Sequence, residues 1–147
     1  MQLTNDCSDS YLCNGVPHPR AQSGIRMFNQ GRYFEAHEEL EAAWRVEPGL
    51  VRNLYQGILQ VGVGYYHAER GNPSGALKLF RRCRHLLEQF PDTCMGINLT
   101  KLRQDYQAIE RYIKESDIKR GTRLDPGMFR SIDWIDPQSE STQPHDR

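Results

Sequence analysis

Two histidines and a glutamate, His37, His67 and Glu41, are the side chains of this 147-residue chain best suited to acid–base or metal chemistry near neutral pH. His37 and Glu41 lie in "YFEAHEELEAAW", residues 33–44, and His67 ends "NLYQGILQVGVGYYHA", residues 53–68. An imidazole oriented by Glu41 would serve as a general base. Two imidazoles with one or two carboxylates also suit zinc, iron or manganese by ligand type, with His37, Glu41 and His67 as the candidates. The spacing does not support a metal motif. "HEELE" has Glu41 where a zinc protease needs its second histidine, and Phe34 and Gly64 stand where a bridged di-iron site needs glutamates. There is no phosphate-cradling glycine loop and no Gly-x-Ser-x-Gly nucleophile elbow, so no cofactor is expected.

Helical geometry places these residues. At 100° per residue, Tyr33, His37, Leu40 and Trp44 fall within about a sixth of a turn, with Phe34 and Glu41 at the edge. Glu35 and Glu39 point the other way, and Glu38 sits at the boundary. Residues 53–68 contain no Asp, Glu, Lys or Arg in a chain that is 26% charged, so this helix should be central. Gln56, Gln60 and His67 share a stripe about 40° wide, beside Gly57 and Gly64, whose missing side chains admit a close neighbour. Buried amides and imidazoles need partners. The sequence therefore predicts a polar pocket of His37, Glu38, Glu41, Trp44, Gln56, Gln60 and His67 between two helices, with Glu41–Arg45 as a surface pair the competing reading of Glu41.

The supporting elements are helical throughout residues 20–116, and no stretch alternates with strand periodicity. The expected fold is all-α, a compact bundle of about five helices in a helical-hairpin arrangement. They are read near 20–30, 33–46, 50–70, 72–90 and 98–115, and Asn72-Pro73 supplies a cap and a first-turn proline. Gly31 and Gly71, forty residues apart, head similar segments, as two hairpins would. Residues 1–19 and 117–147 read as polar tails, the second partly packed back through "FRSIDWI", residues 129–135.

Nineteen basic and nineteen acidic residues cancel, which removes the global pull toward phosphate, and nucleic acid is not expected as a partner. Lys78, Arg81, Arg82 and His85 line one helix face and read as solvated charge. No secretory signal and no membrane-length apolar run is visible, so a soluble, cytoplasmic chain is expected. Cys7, Cys13, Cys83 and Cys94 form no metal-type pair; free thiols are expected, with Cys83 as core filler and no Cys7–Cys13 bridge.

"FNQGRYFEAHEELEAAW", "LYQGILQVGVGYYH" and "RGNPSGALKL" in this order resemble the bacterial and archaeal family called domain of unknown function 309, over about residues 25–90. The resemblance implies a compact all-α bundle. It also implies a signature carried by Phe34, Glu35, His37, Glu38, Glu41, Trp44, Gln56, Gly57, Gln60, His67, Asn72, Gly75 and Ala76. It implies no activity. The pocket is read as a structural network or a small-ligand site; a hydrolase-like or metal-dependent enzyme using His37, His67 and Glu41, or a helical interaction module with a protein partner or a second copy, stand as alternatives.

Overall fold

The computed structural model describes residues 12–142. Five long helices follow one another: α1 (Pro19–Asn29), α2 (Tyr33–Val46), α3 (Val51–Glu69), α4 (Pro73–Leu87) and α5 (Leu99–Glu115). A two-residue-per-strand hairpin, β1 (Thr93–Cys94) and β2 (Ile97–Asn98), precedes α5, and a short α6 (Pro137–Thr142) closes the described chain. The all-α reading holds. The fourth helix stops at Leu87, three residues before the expected Phe90, and the hairpin was not foreseen.

Local chemistry sets the boundaries. The Asn72 side chain accepts from the Gly75 amide at 3.0 Å and Pro73 opens α4, as the Asn-Pro pair predicts. Asn98 caps α5 in the same way through the Lys101 amide. The forty-residue echo corresponds to a repeated helix ending. Gly31 (φ 78°) and Gly71 (φ 83°) take the left-handed conformation, and the next amide reaches back in each case, Arg32 to the Met27 carbonyl at 2.9 Å and Asn72 to the His67 carbonyl at 2.8 Å. Met95 (φ 53°) and Gly96 (φ 80°) form the two-residue turn between β1 and β2, where positive φ at both centres matches the strand twist.

α3 is central. It packs against both α2 and α4, and its Gly62 approaches Phe28 of α1. The core runs through Phe28, Leu40, Tyr55, Ile58, Tyr65, Phe80, Leu87 and Tyr106, all buried.

The segments read as tails are held to this core where they are described. Cys13 is disulfide-bonded to Cys94, which corrects the expectation of free thiols; only Cys83 is free and buried among the described cysteines. The two half-cystines are 81 positions apart, beyond the reach of any local spacing rule. Cys7 lies outside the described residues, and Cys13 is engaged elsewhere. Just after it, the His18 amide donates to the Tyr55 hydroxyl at 2.9 Å.

At the other end, Gly121 donates to the Gly71 carbonyl and Leu124 to that of Ala68. Asn29 grips both the amide and the carbonyl of Ile132, at 2.7 and 3.0 Å. Arg26 forms a two-pronged pair with Asp136 that holds the aspartate below the usual carboxylate range. Packing of the C-terminal segment thus reaches well beyond "FRSIDWI". Among the described residues no helix is long and apolar enough to cross a membrane.

Candidate functional site

α2 and α3 are joined by a short turn, so they run antiparallel, and the first turns of α2 meet the last turns of α3. Spacings of three and four put Tyr33, Phe34 and His37 on one face of α2 and Val63, Tyr66 and His67 on one face of α3. Together they wall a cleft of about 190 Å³.

The cleft is aromatic. The Phe34 ring lies 6.5 Å from His37, nearly parallel to it, and 6.4 Å from Tyr66. Phe34 is 59% exposed, so its ring is open to solvent at the mouth of the cleft. At the rim, the Arg70 guanidinium sits 5.1 Å over the Tyr66 ring, in cation–π range. Tyr33 forms the inner wall, and burial, with a lesser contribution from Glu69, pushes its phenol up to about 12, so it stays protonated.

His67 is oriented by the helix ending. Its Nδ1 is 3.4 Å from the Asn72 side-chain nitrogen, and the Asn72 oxygen is already taken by the Gly75 amide. The amide nitrogen therefore donates to Nδ1, which leaves the ring proton on Nε2. Burial lowers the His67 pKa from its usual 6.5, so the neutral ring predominates at neutral pH.

His37 is half-exposed, not fully on the buried face. Its Nε2 lies 3.9 Å from Glu41, beyond hydrogen-bond reach, and its Nδ1 is buried without a partner. Glu41 instead accepts from Arg45 at 2.9 Å, the surface pair that was the competing reading.

The structure thus brings His37 and His67 to one cleft and leaves the other predicted members outside its walls. Glu38 is exposed. Trp44 lies under the Arg52 guanidinium at 4.6 Å. The side-chain oxygen of Gln60 is buried without a partner, and no hydrogen bond joins Gln56 or Gln60 to His37 or Glu41. The reason is axial. At 1.5 Å per residue, Gln56 and His67 are about 16 Å apart along α3, so a stripe narrow on a helical wheel is strung along the hairpin. Nor do His37, Glu41 and His67 form a ligand set: among the described residues no group of three or more His, Cys, Asp or Glu side chains is placed to hold a metal ion.

Val63 and Tyr66 were not singled out from the sequence, although the charge-free run of α3 contains both. A second feature also escaped notice: Glu110 of α5, buried, pairs with Arg84 of α4 and lies 3.6 Å from Lys114. Only its i,i+4 relation to Lys114 was visible in sequence. Lys78, Arg81, Arg82 and His85 are all exposed, as a solvated face would be.

Part of the chain aligns with each of two relatives. A protein of Aquifex aeolicus (strain VF5) named "Uncharacterized protein" is 28% identical over 81 residues, 52% of this chain and 23% of its own length. "Uncharacterized protein YpuF" of Bacillus subtilis (strain 168) is 39% identical over 57 residues, 38% of this chain and 33% of its own length. The aligned parts therefore cover a third or less of either relative. A family model matches residues 21–79, which take in α1 to α3 and the start of α4, every wall of the cleft included, and stop short of the hairpin, α5 and the C-terminal segment. Over those residues the chain is similar to the family described as Domain of unknown function (DUF309).

Proposed function

We propose that the cleft between α2 and α3 is a small-ligand site for a single aromatic ring bearing an oxygen acceptor, such as an aromatic carboxylate. The observation that carries this reading is the pairing of an exposed Phe34 with a neutral, oriented His67 across one aromatic-walled space of about 190 Å³. A cavity of roughly 150 Å³ accommodates a benzene-sized molecule. Phe34 and Tyr66 supply faces for stacking, the His67 Nε2–H supplies a donor, and Arg70 adds positive charge beside Tyr66. A purely structural network is less well supported, because the buried His37 Nδ1 and Gln60 oxygen lack the partners such a network would provide.

Benzoate, benzene and aniline titrated into the full chain and followed by NMR test the proposal. Benzoate is expected to shift the resonances of Phe34, Tyr66 and His67 most strongly. Phe34→Ala is expected to lose the binding while the thermal midpoint stays put. Equal response to all three probes, or shifts located elsewhere, overturns the reading.

A further inference from the structure

A second cavity lies on the other side of Tyr33. It has a volume of about 450 Å³ and is formed where the C-terminal segment crosses the α1–α2 turn and the end of α3. Phe28, Tyr33 and Phe129 form its apolar walls, and Phe129 is anchored by stacking on Tyr65 at 4.8 Å. Most of its polar lining is already engaged. Asn29 is bound to Ile132, the Ser131 carbonyl accepts from Lys101, and the Gln30 side-chain oxygen accepts from Arg32.

Two charges remain. Glu69, half-buried at the end of α3, and Arg130, exposed on the C-terminal segment, both face this space. Neither forms an ion pair or hydrogen bond with any described residue, whereas the carboxylates lining two other cavities have cationic neighbours: Asp105 pairs with Lys101, and Glu110 with Arg84 and Lys114. Glu69 and Arg130 are opposite in sign and line the same cavity, yet they are farther apart than an ion pair allows. Glu69 is half-buried with no cation beside it, so its carboxylate is open to a cationic group that enters the cavity. Burial and the Glu69 charge together keep the Tyr33 phenol protonated, so the remaining polar group of the wall is a neutral donor.

We infer that this cavity binds a small amino carboxylate, its ammonium on Glu69, its carboxylate on Arg130 and its hydrocarbon body against Phe28, Tyr33 and Phe129. An arginine fork suits a carboxylate, and a point-charge ammonium suits a carboxylate acceptor. The inference does not rest on the cleft beyond Tyr33. Phe28, Tyr33 and Glu69 lie within the stretch that matches the family model, and Phe129 and Arg130 lie outside it.

Calorimetric titration of the full chain with 6-aminohexanoate, 4-aminobutanoate and L-leucine tests it, with hexanoate and hexylamine as probes lacking one charge each. At least one amino carboxylate is expected to bind about tenfold more tightly than either singly charged probe. Glu69→Gln is expected to erase the preference over hexanoate, and Arg130→Gln the preference over hexylamine. Both positions are solvent-accessible, so cooperative unfolding of each variant at the wild-type midpoint confirms that the fold is kept. Absence of heat with all three amino carboxylates at millimolar concentration overturns the inference. So does equal binding of the singly charged probes, or a preference that survives both substitutions.

Discussion

Toward α4, α3 presents Gly57 and Gly64, and side chains of α4 fill the space they leave; toward α2 it presents Val63, Tyr66 and His67, and a cleft stays open. A Cβ built on Gly64 would lie 2.5 Å from the Phe80 ring, and one on Gly57 would lie 2.6 Å from Leu87. At the level of Gly64, one helix therefore has a close-packed side and an open side. Glycine removes the spacer on the first, and bulky side chains hold the helices apart on the second. Rigidity and access come from the same turns of α3, which suits a site whose one wall must not move.

The packed side should respond most to substitution. Phe80 cannot retreat easily, because it stacks on Tyr106 at 5.6 Å and meets Tyr65 edge-on at 6.0 Å. Gly64→Val is expected to cost about 3 kcal/mol, the upper end of overpacking, despite any gain in helix propensity over glycine. Urea unfolding measures it. A loss below about 1 kcal/mol would show that the α3–α4 contact is loose and remove the contrast between the two sides.

Gln60, on α3 but outside the cleft walls, should show the opposite sign. Its buried oxygen has no partner, and replacing such a group with an apolar one of similar size relieves desolvation. Gln60→Leu is expected to be neutral or to stabilise by about 1 kcal/mol. Destabilisation of similar size would mean the amide is satisfied in solution and would restore the structural network.

Much of this contrast was legible in the sequence. The charge-free run of residues 53–68 announced a central helix, and Gly57 and Gly64 announced a close neighbour. The neighbour's identity was not legible, since a wheel gives direction without saying which helix lies there, and the glycines met α4 while the polar stripe was matched to α2. That His37 and His67 line one cleft follows from facing stripes, whereas Gln56 stands away from it because angular proximity ignores axial distance, and Glu41, one turn from His37, accepts from Arg45 instead. The Cys13–Cys94 bond and the docking of residues 118–136 depend on contacts between distant positions, for which local periodicity carries no signal. Asn72 shows what local chemistry does transmit. Its cap was plain from Asn-Pro, and the same side chain turned out to set the His67 tautomer.

A smaller effect concerns His67 and pH. Its folded pKa is depressed by burial, so folding favours the neutral ring. The stability this contributes is fully present above the unfolded value, about 6.5, and is lost as pH falls through the lower folded value. The wild type should therefore lose slightly more stability than His67→Gln as pH is lowered through this window, and parallel denaturant curves at several pH values read the difference. Identical pH dependence would mean that His67 is as solvated folded as unfolded.

The smallest expected change in stability belongs to Phe34→Ala, and it separates the two sides of α3 most cleanly. Truncating a buried phenylalanine costs about 3–5 kcal/mol, and Phe80, on the packed side, should behave that way. Phe34 is 59% exposed, and its ring neighbours are His37 and Tyr66. Removing it should change stability by less than about 0.5 kcal/mol, the usual range for surface positions away from special features. Binding of benzoate should be lost, since half of the stacking face goes with the ring. If Phe34→Ala instead costs several kcal/mol, the cleft is closed in solution and α2 packs on α3 as tightly as α4 does. If stability and binding are both unchanged, the exposed ring is surface without a role, and the asymmetry of α3 is one of packing alone.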